Sequence, residues 1–178
     1  IKDMQGVDGL EELNQFALAV RETVMEEAAL NVNVGIGEEK NTLTLLGQSY
    51  AEAKRALEVG YLFHPEDGIY VYSHMLLERF LMGIPQEDCQ HFHSLLFNRR
   101  TNKLFNEEML QTIDMFFRKD LNLSDTARQL YIHRNTLVYR LEKIKKLTGL
   151  DLREFDDAIT FKVALMVKKY LTSRGIEA

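Results

Sequence analysis

Cysteine is almost missing from this chain: Cys89 stands alone among 178 residues. An internal disulfide framework is therefore excluded, and the composition fits a reducing cytosol. Long apolar runs are missing too. The stretch Val163–Val167 is only five residues long, against the roughly 20 needed to cross a bilayer. No signal peptide opens the chain, so a cytoplasmic protein with no membrane partner is expected. Glycine is absent where a dinucleotide loop would need it. Gly35 and Gly37 are followed by Glu38 and Glu39 instead of a third glycine, and two carboxylates would repel a phosphate. Catalytic carboxylates do not cluster, so no catalytic residue, no resident metal and no cofactor are expected. The first residue is Ile1, not Met, which reads as a piece of a longer protein whose sensor lies upstream. What remains is ordinary for a globular protein of one or two domains: 46% apolar and 28% charged residues.

The most informative stretch is Asn122–Gly149, which reads as two short helices about a tight turn. Ser124 is the expected N-cap of the first, its hydroxyl taking an orphan N–H. Ala127 and Leu130 share a face, and a residue as small as Ala127 permits a close helix crossing. Ile132 plugs the turn. Leu137, Leu141 and Ile144 recur at i, i+4 and i+7, the inward face of the second helix. Gly149 suits a left-handed C-cap. The pattern is a helix-turn-helix.

Charge agrees with that pattern. Arg118–Leu147 carries eight Lys/Arg against three Asp/Glu, a balance of +5 in a chain of net charge −5, so the rest holds −10. A basic island in an acidic chain is the footprint of a phosphate-binding surface; a solvated helix face is the plainer alternative. Position favours the first, because Arg134 and Asn135 open the second helix, where a recognition helix meets base edges. Arg134 can engage guanine O6 and N7 with its planar fork, and Asn135 can read adenine or contact phosphate. His133 is either a groove contact or a turn residue capping the helix. Tyr139, pointing away from the Leu137/Leu141/Ile144 face, should meet bases or backbone. Ser124, Thr126, Arg128, Thr136, Arg140, Lys143 and Lys146 are expected phosphate anchors, with an internal salt bridge as the alternative for Arg128 and Arg140.

Leu130-Tyr-Ile-His-Arg-Asn-Thr-Leu137, continued by Tyr139-Arg-Leu-Glu-Lys-Ile144 and Leu147-Thr-Gly-Leu150, closely resembles the C-terminal helix-turn-helix of the PucR/CdaR family. These are bacterial regulators of purine catabolism and sugar-diacid use. The resemblance extends over roughly 104–171. Two departures stand out: Tyr131 occupies a position where many helix-turn-helices carry Gly, and Val138 one that is often Arg, which removes a basic contact.

Upstream, Leu10–Ala29 has the stripe of an amphipathic helix through Leu10, Leu13, Ala17, Val20, Val24 and Ala28. Asn31–Gly37 alternates like a strand. Ser49 and Glu52 have capping-box spacing, opening a helix that should bury Tyr50, Ala53 and Leu57. Gly60 should stop it, before a strand at Ile69–Tyr72. Val34-Gly-Ile-Gly37 and Leu46-Gly-Gln-Ser-Tyr-Ala-Glu-Ala-Lys-Arg-Ala-Leu57 are similar to the second half of the GGDEF-like domain of CdaR-type regulators. That resemblance covers about 1–72 and lacks the hairpin that would hold nucleotide and metal. Ser73 should cap a helix ending near Gly83, and Pro85 should open another. On it Cys89 and His93 share a face, but a zinc site needs more ligands and His91 points away. The polar run Asn98–Asn102 is the expected junction. Asn106 should cap a helix with Met109, Ile113, Phe116 and Phe117 on its apolar face. A last helix, starting at Asp156 or Asp157, is apolar nearly all round.

The expected fold is therefore α+β but mostly helical. It comprises a partial α/β GGDEF-like half (1–72), a helical connector (73–103) and an all-α helix-turn-helix domain (104–178). The expected partner is double-stranded DNA, bound as a homodimer on two half-sites, with a small-molecule effector sensed N-terminal to this chain. Two rivals stand beside it. One is a degenerate nucleotide-cyclase-like module; the other is a protein-interaction or dimerisation module that does not bind DNA.

Overall fold

Two parallel strands, with helices on either face, form the first of two units seen in a computed structural model, which describes residues 9–97, 101 and 105–176. The units are Ile1–Gly83 and Ile84–Ala178. Eight α-helices and one two-stranded sheet are present among the described residues.

In the first unit, α1 (Gly9–Ala28) leads to β1 (Val34–Ile36), and a 3-10 turn runs into α2 (Leu46–Phe63). β2 (Ile69–Val71) and α3 (Leu76–Met82) follow. β1 and β2 pair in parallel, Val34 against Ile69 and Ile36 against Val71, so α2 is the crossover helix that parallel pairing requires. Strand alternation sorts the two faces. Ile36 and Val71 pack with Ala17 of α1, whereas Tyr70 packs with Ala56 and Val59 of α2.

Gly35 and Gly37 are packing devices. A Cβ on Gly35 would lie 2.2 Å from the Ala53 carbonyl oxygen, and one on Gly37 would lie 2.1 Å from that of Ser49. Bare backbone is what lets α2 lie directly on the strand.

Several expectations for this unit are corrected. The strand is shorter than Asn31–Gly37, and of the α1 stripe only Ala17 is buried. Gly60 does not stop α2; it is a buried seat inside the helix, where a Cβ would fall 2.1 Å from the Tyr70 ring. Ser49 and Glu52 form no capping box, because α2 starts earlier, at Leu46. The Ser49 hydroxyl instead donates to the Glu38 carbonyl (2.8 Å), and buried Glu52 accepts from Glu38 N–H (3.0 Å) and Lys40 Nζ (2.8 Å). Both hold the loop after β1 onto the helix. Tyr50, expected inside, is 73% exposed. Ser73 lies in a 3-10 turn and does not cap α3.

The second unit contains α4 (Gln86–Leu96), α5 (Glu107–Arg118), α6 (Leu123–Gln129), α7 (Arg134–Thr148) and α8 (Phe155–Ser173). The stretch 73–103 is thus divided, α3 falling in the first unit and α4 in the second. Of the polar run Asn98–Asn102, all but Thr101 lies outside the described residues. Asn106 caps α5, its side chain accepting from Met109 N–H at 2.9 Å. Phe116, Ile113, Leu137, Leu141, Ile144 and Phe161 lie at the centre of one core.

α8 begins at Phe155, one or two residues before the expected start at Asp156 or Asp157. It buries Ala158, Phe161, Ala164 and Val167 at three-residue spacing, while Ile159 is 46% exposed. This helix, apolar nearly all round in sequence, thus has one buried stripe with half-buried flanks at Val163, Leu165 and Met166. α4 packs on α8. Cys89 and His93 are both buried on α4, and the His93 ring stacks on Phe97 with centroids 4.7 Å apart. Among the described residues no group of three side chains could hold a metal ion, and no helix is long and apolar enough to cross a membrane.

Candidate nucleic-acid interface

The α6–turn–α7 pair is assembled from local hydrogen bonds and one apolar seam. Asn122 caps α6, its side-chain oxygen accepting from Ser124 N–H (2.9 Å) and Asp125 N–H (3.1 Å). Ser124 lies inside the helix, correcting the expectation that it is the cap. Buried Ala127 joins the core that α7 shares. The turn closes as Tyr131 N–H donates to Arg128 O (3.2 Å) and Ile132 N–H to Ala127 O (3.0 Å). His133 then caps α7: its backbone is extended and its Nδ1 accepts from Asn135 N–H at 3.2 Å. Leu137, Leu141 and Ile144 are fully buried, and Gly149 ends the helix at φ +82°, a left-handed geometry that glycine adopts without penalty.

Burying that stripe forces another one outward. At about 100° per residue, Asn135, Tyr139, Lys143 and Lys146 line the side of α7 opposite Leu137, Leu141 and Ile144. All four are exposed, as are His133, Arg134 and Thr136 at the helix start. Arg134, Lys143 and Lys146 have no ion-pair partner among the described residues. The start of α7 also carries the positive end of the helix dipole, while His133 holds its first-turn amides, taking Asn135 N–H on Nδ1 and Thr136 N–H on its carbonyl oxygen (2.9 Å). A surface with exposed cations and a planar fork at the positive end of a helix can take phosphates and meet base edges.

The expected phosphate anchors do not all reach this surface. Ser124 and Arg128 are exposed on α6, and Arg128 makes only a surface pair with Asp125, of the kind that contributes little and exchanges readily. Thr126 is fully buried, its hydroxyl donating to Asn122 O at 2.7 Å; a side chain sealed inside the pair cannot anchor a phosphate. Arg140 is withdrawn as well. Its guanidinium pairs with Glu108 and donates to Thr112 Oγ1 at 2.7 Å, fastening α7 to α5.

The far end of α7 carries a cluster that sequence reasoning missed. The buried Asp151 carboxylate accepts from Arg153 Nε (2.7 Å), Arg153 N–H (3.1 Å) and Lys145 Nζ (3.0 Å). Its backbone N–H donates to Asp157 at 2.8 Å, and Arg153 also pairs with Glu142. The Arg153 guanidinium above all holds the Asp151 carboxyl well below the usual carboxylate range. The only sequence signal was an acid and a base two residues apart after Gly149, easily read as solvated loop. A second omission is Tyr131, which is 94% exposed in the turn itself.

Residues 109–167 match the PucR C-terminal helix-turn-helix domain, a span that takes in the whole outward stripe. The chain is similar to the carbohydrate diacid regulator of Escherichia coli (strain K12), with 34% identity over 143 residues, or 80% of this chain and 37% of that protein. It is also similar to the purine catabolism regulatory protein of Bacillus subtilis (strain 168), 29% identical over 79% of this chain and 27% of the relative. A third relative, the proline-responsive transcriptional activator PutR of the same strain, is 29% identical over 78% of this chain and 34% of its own length. The chain spans about a third of the length of these relatives. Among solved structures, a regulator of polyketide synthase expression from Bifidobacterium adolescentis aligns with 22% identity and a TM-score of 0.42, over 69% of this chain and 48% of that one.

Proposed function

The chain belongs to the PucR/CdaR regulators through its C-terminal helix-turn-helix, and from that premise we propose that it is a sequence-specific DNA-binding transcriptional regulator, not an enzyme, with α7 as its recognition helix. α7 enters the major groove by its N-terminal end, with α6 crossing the backbone behind it. Arg134 and Asn135 read base edges, His133 and Tyr139 approach bases or sugar-phosphate, and Ser124, Arg128, Thr136, Lys143 and Lys146 contact phosphates. The observation that carries this reading is the helix's two-sidedness: the face opposite three fully buried aliphatics holds exposed cations without ion-pair partners among the described residues.

One such helix covers few base pairs, so a homodimer on half-sites roughly 34 Å apart is the natural arrangement. The first unit is read as a GGDEF-like α/β half with no catalysis of its own. A small-molecule effector, of the kind suggested by relatives named for purine catabolism, proline and carbohydrate diacids, is sensed N-terminal to this chain. A cytoplasmic location goes with these assignments.

Selection of bound duplexes from a random-sequence pool, using the whole chain, tests the proposal. A shared sequence motif should emerge, and its affinity should fall linearly on a log–log plot against salt. Recovery of no common motif, together with no salt-dependent retention, would refute it.

A further inference from the structure

Tyr131 adopts φ +53°, in the left-handed region that a side chain with a Cβ disfavours. Two backbone bonds of the turn hold it there, Tyr131 N–H to Arg128 O and Ile132 N–H to Ala127 O. Among the described residues three other non-glycine residues have positive φ: Ala29, Asp120 and Leu121. Ala29 is small, Asp120 belongs to a residue type that tolerates this conformation, and Leu121 packs against the core. Tyr131 has none of these compensations. Its side chain is 94% exposed, and its hydroxyl has no hydrogen bond and its ring no aromatic or cationic contact among the described residues.

An exposed aromatic in a strained turn stabilises nothing within the chain, and glycine would hold the same turn without strain. The group therefore serves something outside the protein. Its location says what. Arg128 precedes it by three residues, and His133 and Arg134 follow it by two and three, so the turn lies at the end of α7 assigned to DNA.

We propose that Tyr131 is a DNA-positioning residue whose phenolic hydroxyl donates to a backbone phosphate oxygen beside the start of α7. This rests on the reading of α7 as a recognition helix. The contact fixes register and carries no sequence information. Because the phenol is neutral, it releases no condensed counterion.

The test uses the whole chain with Tyr131→Phe and Tyr131→Gly, titrated against a duplex recovered from the random pool and a scrambled duplex of equal length. Tyr131→Phe should weaken binding to both duplexes by about ten-fold, the size of one hydrogen bond to a charged group, with the salt slope unchanged. Tyr131→Gly should weaken binding at least as much while raising the melting temperature. Wild-type affinity in Tyr131→Phe, a flattened salt slope, or a lower melting temperature in Tyr131→Gly would each overturn the proposal. Failure of the underlying reading looks different: the wild-type chain would retain neither duplex, and Arg134→Ala would behave like it.

Discussion

The two ends of α7 follow opposite rules. At the C-terminal end ion pairs tie Lys145 to Asp151, Asp151 to Arg153 and Arg153 to Glu142, and Lys143 and Lys146 on the outward face stay outside that cluster. At the N-terminal end His133 makes one capping bond, and Arg134, Asn135 and Thr136 stand in solvent. Arg140, between them, is fastened to α5. Basic residues in the same helix therefore have different roles, set by whether an acid lies within reach. Charge counts alone merge the two groups; the ion pairs separate them.

Substitutions can break this contrast or sharpen it. The largest effect should come from Leu141→Ala, which removes a fully buried side chain beneath both ends. A loss of about 2–5 kcal/mol in unfolding free energy is expected, measured by denaturant titration. Next is Asp151→Asn, which should destabilise the chain by roughly 1–3 kcal/mol through lost charge-assisted bonds while leaving DNA selectivity intact. It should also alter the acid response. The Asp151 carboxyl is depressed from its ordinary value of 3.8, so its stabilisation is present above that value and lost as pH falls below it toward the folded value. Thermal melts of wild type over acid pH should fall more steeply than those of the variant.

Smaller effects belong to the outward, unpaired cations. Arg134→Ala should leave the melting temperature unchanged, cost about 1–3 kcal/mol of binding and relax preference at one base pair. Lys143→Ala should weaken all duplexes alike and reduce the salt slope by about 1. Gel shifts across a salt series distinguish these two. Arg140→Ala sharpens the contrast further, since it should lower stability and leave the salt slope unchanged.

Much of this was legible in the sequence because it depends on neighbours a few residues away. The Leu137/Leu141/Ile144 face, the Asn106 cap and the Gly149 stop are local patterns, and each appears where periodicity and capping chemistry place it. Ser124 was the expected N-cap, but Asn122, two residues earlier and of equal capping chemistry, takes that role. The misses arise from distant partners. Glu108 lies 32 positions from Arg140, so nothing local announces that this arginine is engaged. Gly60 resembled a helix stop until Tyr70, from β2, was found lying on it. Thr126 looked like a surface threonine on a short helix, but its burial depends on what packs around that helix. Tyr131 was visible as a departure from glycine, yet only the backbone angle shows that it is strained.

The claim that α7 meets DNA by its N-terminal end is tested most directly by titrating the isotopically labelled chain with a selected duplex and following backbone amide shifts. The account predicts perturbations concentrated at Tyr131–Tyr139 and along Lys143 and Lys146, with Asp151, Arg153 and the β1–α2–β2 unit nearly silent. Shifts centred on Asp151 and Arg153, or on the first unit, would contradict it.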